Sequence, residues 1–158
     1  MFLKELYFAY GSNLNLAQMA ARCPTAFVMS QAVLEDYELA FRRGVLTILP
    51  KEGGKVQGAL WKVNARDEQA LDRYEGYPHL YTKKRLFVQT DAGQQTAIAY
   101  VMTAPCCEQA QPPSAAYLKT VLDGYQLANF DPNAVLQAAA SARQAWQQAQ
   151  RKRADKER

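Results

Sequence analysis

Two stretches of this chain have residue types and spacings that can do chemistry. The first is Tyr10-Gly11-Ser12-Asn13, a run of turn and cap formers between an apolar, aromatic segment and a stretch of helical periodicity. A helix start leaves main-chain N–H groups unpaired and carries partial positive charge, so it can hold a carboxylate or a polarised carbonyl oxygen. Gly11 lets a ligand approach the main chain closely. The second is Glu75, at the end of a short helical pattern and just before Gly76-Tyr77-Pro78. The negative end of a helix dipole and surrounding aromatic side chains both favour the protonated carboxyl, the setting of a general acid/base. Type and spacing alone also describe a plain turn with a helix cap and a solvated glutamate, the commoner uses of such residues.

Other reactive types are less well placed. His79 is the single histidine, so a multi-histidine metal site is excluded, and in its Tyr-Pro-His-Leu-Tyr setting it reads as a packed or surface residue. Cys106-Cys107 has no neighbouring positive charge or helix start to stabilise a thiolate. Most of the nine tyrosines belong in a core, with a minority placing hydroxyls in a pocket.

The elements that must position these residues follow from periodicity and caps. Residues 5–10 read as a buried strand, and Leu16, Met19 and Ala20 as one face of a helix that ends near Cys23-Pro24. Residues 27–34, 37–41, 45–50 and 56–63 read as short strands, with Glu52-Gly53-Gly54-Lys55 as a hairpin turn. Asn64 or Asp67 caps a helix that buries Ala70, Leu71 and Tyr74 and runs to Arg73 or Tyr74. Residues 84–90 and 96–102 are two strands joined through Asp91-Ala92-Gly93. A loop marked by Pro105, Pro112 and Pro113 precedes Ser114, which caps a helix with Tyr117, Leu118, Val121 and Leu122 inward. The last helix starts at Asp131-Pro132, with a stripe of Val135, Ala139, Ala142, Trp146 and Ala149. Short strands at this spacing predict a barrel or strongly bent sheet.

The chain has 158 residues, 49% hydrophobic and 22% charged, which suits one domain. Its net charge of +4 is not spread evenly. Residues 143–158 hold six basic against two acidic side chains, leaving thirteen of each in residues 1–142, a formally neutral body. The domain is therefore expected over 1–142, with 143–158 as a basic, fraying helix end more suited to solvent than to nucleic acid. Lys4 and Glu5 interrupt the place where an export signal needs apolar residues, and no apolar run is long enough to span a membrane. With an odd cysteine count, these features predict a cytoplasmic protein with reduced thiols.

The separate signals line up in one order. The segment from Leu6 to Leu14, followed by residues 45–48, 58–61, 71–77 and 112–117, resembles the γ-glutamylcyclotransferase (AIG2-like) family. The resemblance covers roughly residues 5–130; the first segment combined with a helix-end Glu-Gly is its fairly specific part. It implies an α+β fold, a small closed or partly closed β-barrel flanked by helices with a C-terminal helix, and a cofactor-free, metal-free reaction. In that reaction a γ-glutamyl compound cyclises to 5-oxoproline and releases an amino acid or amine. By position, Glu75 matches the general acid/base. Tyr7, Phe8, Ala9, Tyr10, Gly11, Ser12 and Asn13 match the substrate-holding loop, with Tyr81 and Tyr117 as further substrate contacts. Tyr-Gly-Ser-Asn resembles the branch acting on γ-glutamyl amino acids rather than on γ-glutamylamines or glutathione alone. The implied partner is a small γ-glutamyl molecule, with no nucleic acid and no membrane. A non-catalytic module holding a small carboxylate ligand is the alternative.

Overall fold

Five strands, β1 (Glu5–Ala9), β2 (Phe27–Arg42), β3 (Val45–Val63), β4 (Tyr81–Thr90) and β5 (Gly93–Met102), close into a barrel in the order β1-β3-β2-β4-β5. The computed structural model describes residues 5–158, so the reading of Lys4 lies outside the described residues. Pairing is antiparallel except where β1 meets β5, in parallel, at Tyr7 and Ile98. Helices α1 (Leu16–Arg22), α2 (Ala65–Glu75), α3 (Ala104–Cys107), α4 (Ala115–Leu127) and α5 (Asn133–Lys156) flank it, completing the α+β barrel that the sequence predicts. Phe8, Phe41, Ile48, Leu60, Leu71, Val88 and Tyr100 are among the fully buried side chains of the core.

Residues 27–63 form two long strands rather than four short ones. The hairpin lies at Arg43-Gly44, where both residues have positive φ (53° and 81°), the requirement of a tight two-residue turn. Glu52-Gly53-Gly54-Lys55, expected as the turn, instead belongs to an irregularity within β3. Register passes from Tyr37 opposite Pro50 to Glu35 opposite Lys55, so residues 51–54 face Asp36 alone. Asp36 (φ 64°) accepts a hydrogen bond from Gly53 N–H at 3.0 Å. A bulge resets the in-out alternation, so its two flanks look like separate strands in sequence.

The first helix also begins later than its cap residues suggest. Ser12–Leu14 form a 3-10 turn, closed by Leu14 N–H to the Gly11 carbonyl and Asn15 N–H to the Ser12 carbonyl, both at 3.0 Å. Asn15 is the cap of α1, its side chain accepting from Gln18 N–H at 3.2 Å. Pro105, read as part of a loop, stands at the start of the one-turn α3. Asp131 caps one residue outside α5, accepting from Asn133 N–H at 3.0 Å. α5 packs along β2 and buries Val135, Ala139 and Ala142, whereas Trp146 is half-buried and Ala149 exposed. Its basic end stays helical to Lys156, and every residue from Gln147 onward is exposed.

Local caps and close contacts aim α2 and α4 at the site. Asn64 and Asp67 form a reciprocal capping box at the start of α2, and the buried Asp67 carboxylate also accepts from Thr25 Oγ1 at 2.7 Å. Asp67→Ala removes the two bonds to the carboxylate, from Asn64 N–H and Thr25 Oγ1, and leaves the main-chain bond from residue 67 to Asn64 Oδ1; equilibrium urea unfolding is expected to show a loss of about 2 kcal/mol. Gly76 ends α2 in the left-handed conformation, which fixes Glu75 as the last helical residue. Ser114 caps α4 by accepting from Tyr117 N–H at 3.1 Å. On α4, Gly124 lies so close to the Leu14-Asn15 main chain that a Cβ there would sit 2.9 Å from Leu14 Cβ. The 3-10 turn is thus clamped between β1 and α4.

Candidate active site

A cavity of about 190 Å3 opens where the end of β1, the 3-10 turn, the C-terminal residues of α2 and Tyr117 of α4 meet. Tyr7, Tyr10, Gly11, Ser12, Asn13, Glu75, Tyr81 and Tyr117 all line it, so most of the residues singled out from sequence come together. Phe8 and Ala9 do not: both are core residues with no exposure, packed toward Gly58 of β3. They are wall-builders of the barrel rather than contacts of the cavity, because a substituent at position 58 would meet the Phe8 ring and the Ala9 carbonyl.

The carboxyl of Glu75 is half-buried in this wall. Asn13 Nδ2 donates to Tyr7 Oη at 2.9 Å and reaches Glu75 Oε1 at 3.5 Å, the outer edge of hydrogen-bond range. Burial pushes the Glu75 pKa from its ordinary value up to about 7, against a lowering pull from the Arg22 charge. Removal from water, rather than a charged neighbour, therefore sets it near neutrality. Burial also raises the phenols of Tyr7, Tyr10, Tyr81, Tyr100 and Tyr117, so they remain neutral hydrogen-bonding groups. Among the described residues lining the cavity, Glu75 is the one carboxylate.

The tyrosines brace the cavity walls. Tyr81 Oη donates to the Leu46 carbonyl at 2.5 Å while Leu46 N–H donates to Tyr117 Oη at 3.2 Å, which holds the main chain of Leu46 at both of its polar groups. Tyr10 Oη donates to the Tyr100 carbonyl at 2.5 Å, and Tyr125 Oη donates to the Tyr10 carbonyl at 3.2 Å. Tyr117 Oη accepts from the main chain and lines the cavity beside Ser12. The N–H groups of Ser12 and Asn13 open the 3-10 turn and have no intrahelical acceptor.

Three contributors escape the sequence reading. Tyr74, expected on the buried face of α2, is 43% exposed and shares a hydrogen bond with Ser12 Oγ at 3.0 Å. Its adjacency to Glu75 is the only local signal. Tyr100 lines the cavity from β5, and the Tyr100 hydroxyl donates to Asp72 at 2.6 Å; nothing near it in sequence marks that. Arg22, at the end of α1, hydrogen-bonds Asn13 Oδ1.

His79 is exposed and away from the cavity lining. Cys23, Cys106 and Cys107 are free, and burial raises the Cys23 thiol to about 11, which disfavours a thiolate. Among the described residues no three His, Cys, Asp or Glu side chains come together as metal ligands, and no described helix is long and apolar enough to cross a membrane.

The elevated Glu75 pKa has a consequence for stability. An acid whose folded pKa is raised binds its proton more tightly in the folded state, so its contribution is full below the unfolded pKa and is lost as pH rises to the folded one. Glu75→Gln should therefore match the wild type near pH 4.5 and become progressively more stable up to pH 7, with a plateau above. The plateau corresponds to at most about 3 kcal/mol, read from thermal or urea unfolding across pH.

The family model "Gamma-glutamyl cyclotransferase, AIG2-like" matches residues 7–131. Gamma-glutamylcyclotransferase of Bos taurus is 34% identical over 132 residues, covering 75% of this chain and 69% of the relative. The Homo sapiens gamma-glutamylcyclotransferase is 33% identical over the same shares. A solved structure of a gamma-glutamyl cyclotransferase superposes with a TM-score of 0.72 at 32% identity, covering 79% of this chain and 80% of that one. The match spans the barrel, the 3-10 turn, Glu75 and α4, which makes the chain a member of the gamma-glutamyl cyclotransferase, AIG2-like family.

Proposed function

We propose that this enzyme converts a γ-glutamyl amino acid, or a related γ-glutamyl compound, into 5-oxoproline and the free amino acid or amine, with Glu75 as its general acid/base. The observation that carries the reading is a single carboxyl with a pKa of about 7 in the wall of a small cavity that also presents the main chain of residues 10–13.

The nucleophile is the substrate's own α-amino group, which attacks its γ-carbonyl carbon. Closing a five-membered ring is intramolecular, so the protein needs to hold a bent conformer and requires no nucleophile of its own. Glu75 takes a proton from the α-ammonium, making it nucleophilic. As the new C–N bond forms, negative charge grows on the γ-carbonyl oxygen. The N–H groups at the start of the 3-10 turn are suited to stabilise it, an effect worth about 3 kcal/mol per well-placed donor. The ring nitrogen then loses its second proton, the departing amine gains one, and the original γ-amide C–N bond breaks. A carboxyl with a pKa near the working pH serves both directions of transfer. The phenols, held neutral by burial, orient and donate without competing as bases.

Several features favour a zwitterionic small molecule as substrate. The body of the chain carries no net charge, so attraction comes from local donors rather than a long-range field. Tyr-Gly-Ser-Asn supports γ-glutamyl amino acids ahead of γ-glutamylamines, and we infer a cytoplasmic role in glutathione metabolism from the same resemblance. Purified protein incubated with γ-glutamyl amino acids, glutathione and γ-glutamyl-lysine, with 5-oxoproline measured in each case, tests this. Release from at least one γ-glutamyl amino acid supports the reading. Saturable binding of these compounds without any 5-oxoproline overturns it in favour of a binding module.

A further inference from the structure

Arg22 is the last residue of α1 and has no place in the proton transfers described above. Its guanidinium carbon lies 3.3 Å from the centroid of the Tyr74 ring, a cation–π stack joining α1 to α2 beside Glu75. One guanidinium nitrogen, Nη1, hydrogen-bonds Asn13 Oδ1, and Nη2 donates to Gln18 Oε1 at 2.5 Å. Among the described residues no carboxylate lies within ion-pair distance of Arg22. It is therefore a half-buried positive charge held behind the cavity wall by an aromatic face and two amide oxygens rather than by an ion pair.

The geometry around Asn13 makes that contact decisive. A side-chain amide has one acceptor end and one donor end, and both of its orientations have similar shape. Here Arg22, which only donates, occupies the oxygen, so the NH2 end must point to Tyr7 Oη and Glu75 Oε1. Without Arg22, the opposite orientation sets the amide oxygen against Glu75, where it repels a carboxylate.

We propose that Arg22 is a positioning residue of this site, which locks the Asn13 amide with its donor toward Glu75 and supplies the positive charge that favours the Glu75 carboxylate. Among the described residues no second charged side chain lines the cavity around Glu75. The groups facing Glu75 are the phenols of Tyr7 and Tyr10 from β1 and the loop after it, Tyr74 from α2, Tyr81 from β4, Tyr100 from β5 and Tyr117 from α4. Arg22 is the charged group that acts on Glu75, in the direction of lowering its pKa. The proposal rests on the cyclotransferase reading only for its effect on turnover.

Arg22→Met keeps an unbranched apolar stem and removes both charge and fork, whereas Arg22→Lys keeps charge and loses the planar fork. Carbon-13 NMR of the Glu75 carboxyl, assigned by its absence in Glu75→Gln, gives the titration midpoint in the full chain. It is expected to rise by about one pH unit in Arg22→Met and to return to within a few tenths of wild type in Arg22→Lys. The Asn13 side-chain amide proton signals should shift in both variants. With γ-glutamyl-alanine as substrate, kcat should fall about tenfold in both while KM changes less than threefold. A Glu75 midpoint in Arg22→Met equal to wild type overturns the electrostatic role. Asn13 signals and kcat both unchanged overturn the positioning role. If wild type releases no 5-oxoproline while the midpoint and the Asn13 signals move as expected, the proposed function fails and the role of Arg22 stands. Should Arg22→Met fail to give a dispersed folded spectrum, Arg22→Lys decides: an unchanged Asn13 amide there overturns the proposal.

Discussion

Glu75→Gln is expected to reduce kcat for 5-oxoproline release by a hundredfold or more, the ordinary scale of general acid/base catalysis, while substrate affinity changes only a few-fold. Glutamine has nearly the same shape and can keep its place beside Asn13, but it cannot accept a proton from an ammonium and return it to an amine. In the wild type, kcat/KM should rise with pH through about 7, because the first step needs Glu75 ionised and burial sets its pKa there. The residual rate of the variant should lack that limb. Steady-state kinetics between pH 5 and 9 provide the check: a variant within tenfold of wild type, or one retaining the same limb, removes Glu75 from the reaction. The stability advantage of the same variant above pH 7 makes the result hard to confuse with misfolding, since the less active protein is expected to be the more stable one.

Gly58→Ala should produce the largest loss of stability. A Cβ at this position of β3 would lie 2.4 Å from Phe8 Cε2 and 2.5 Å from the Ala9 carbonyl oxygen. Neither neighbour can give way cheaply. The Phe8 ring is fully buried in the core, and the Ala9 carbonyl belongs to main chain paired with Ala59 of β3. One added methyl must therefore push β1 from β3, and overpacking of this kind costs about 3 kcal/mol. In a chain of this size that corresponds to a fall in Tm of roughly 10 °C. The displacement would carry Tyr10 and the 3-10 turn with it, because β1 leads directly into them. A deeper fall in kcat than in the folded fraction at the assay temperature is therefore expected. A Tm within 2 °C of wild type, measured by calorimetry, would overturn this account of the β1–β3 contact, since roughly 1 kcal/mol shifts Tm by about that much.

Part of this site is legible in the sequence because it is built from local rules. The Asn64 and Asp67 cap, the Ser114 cap, and the Glu75-Gly76 helix end each depend on residues within a few positions of one another, and each is found in the structure. The errors share a cause as well. The bulge opposite Asp36 splits the alternation of β3, and the hairpin at Arg43-Gly44 relies on an arginine with positive φ, a residue that carries no turn signature. The cap residues Gly-Ser-Asn were one turn too early for α1 because Asn15 caps it instead. Phe8 and Ala9 belong to a recognisable segment, yet strand pairing puts them in the wall behind the cavity.

By itself the sequence determined the kinds of element, their order, and that a glutamate would end a helix ahead of a glycine, since these follow from periodicity and capping over a few residues. Only the tertiary structure decided that Asn13 and Glu75, 62 positions apart, would meet, that Arg22 would hold Asn13 in one orientation, and that the carboxyl would titrate near 7. The physical reason is that a pKa reflects the water a group loses and the charges it gains. At Glu75 those come from β1, β3, β4, β5, α1 and α4, elements that closure of the barrel alone brings to one place.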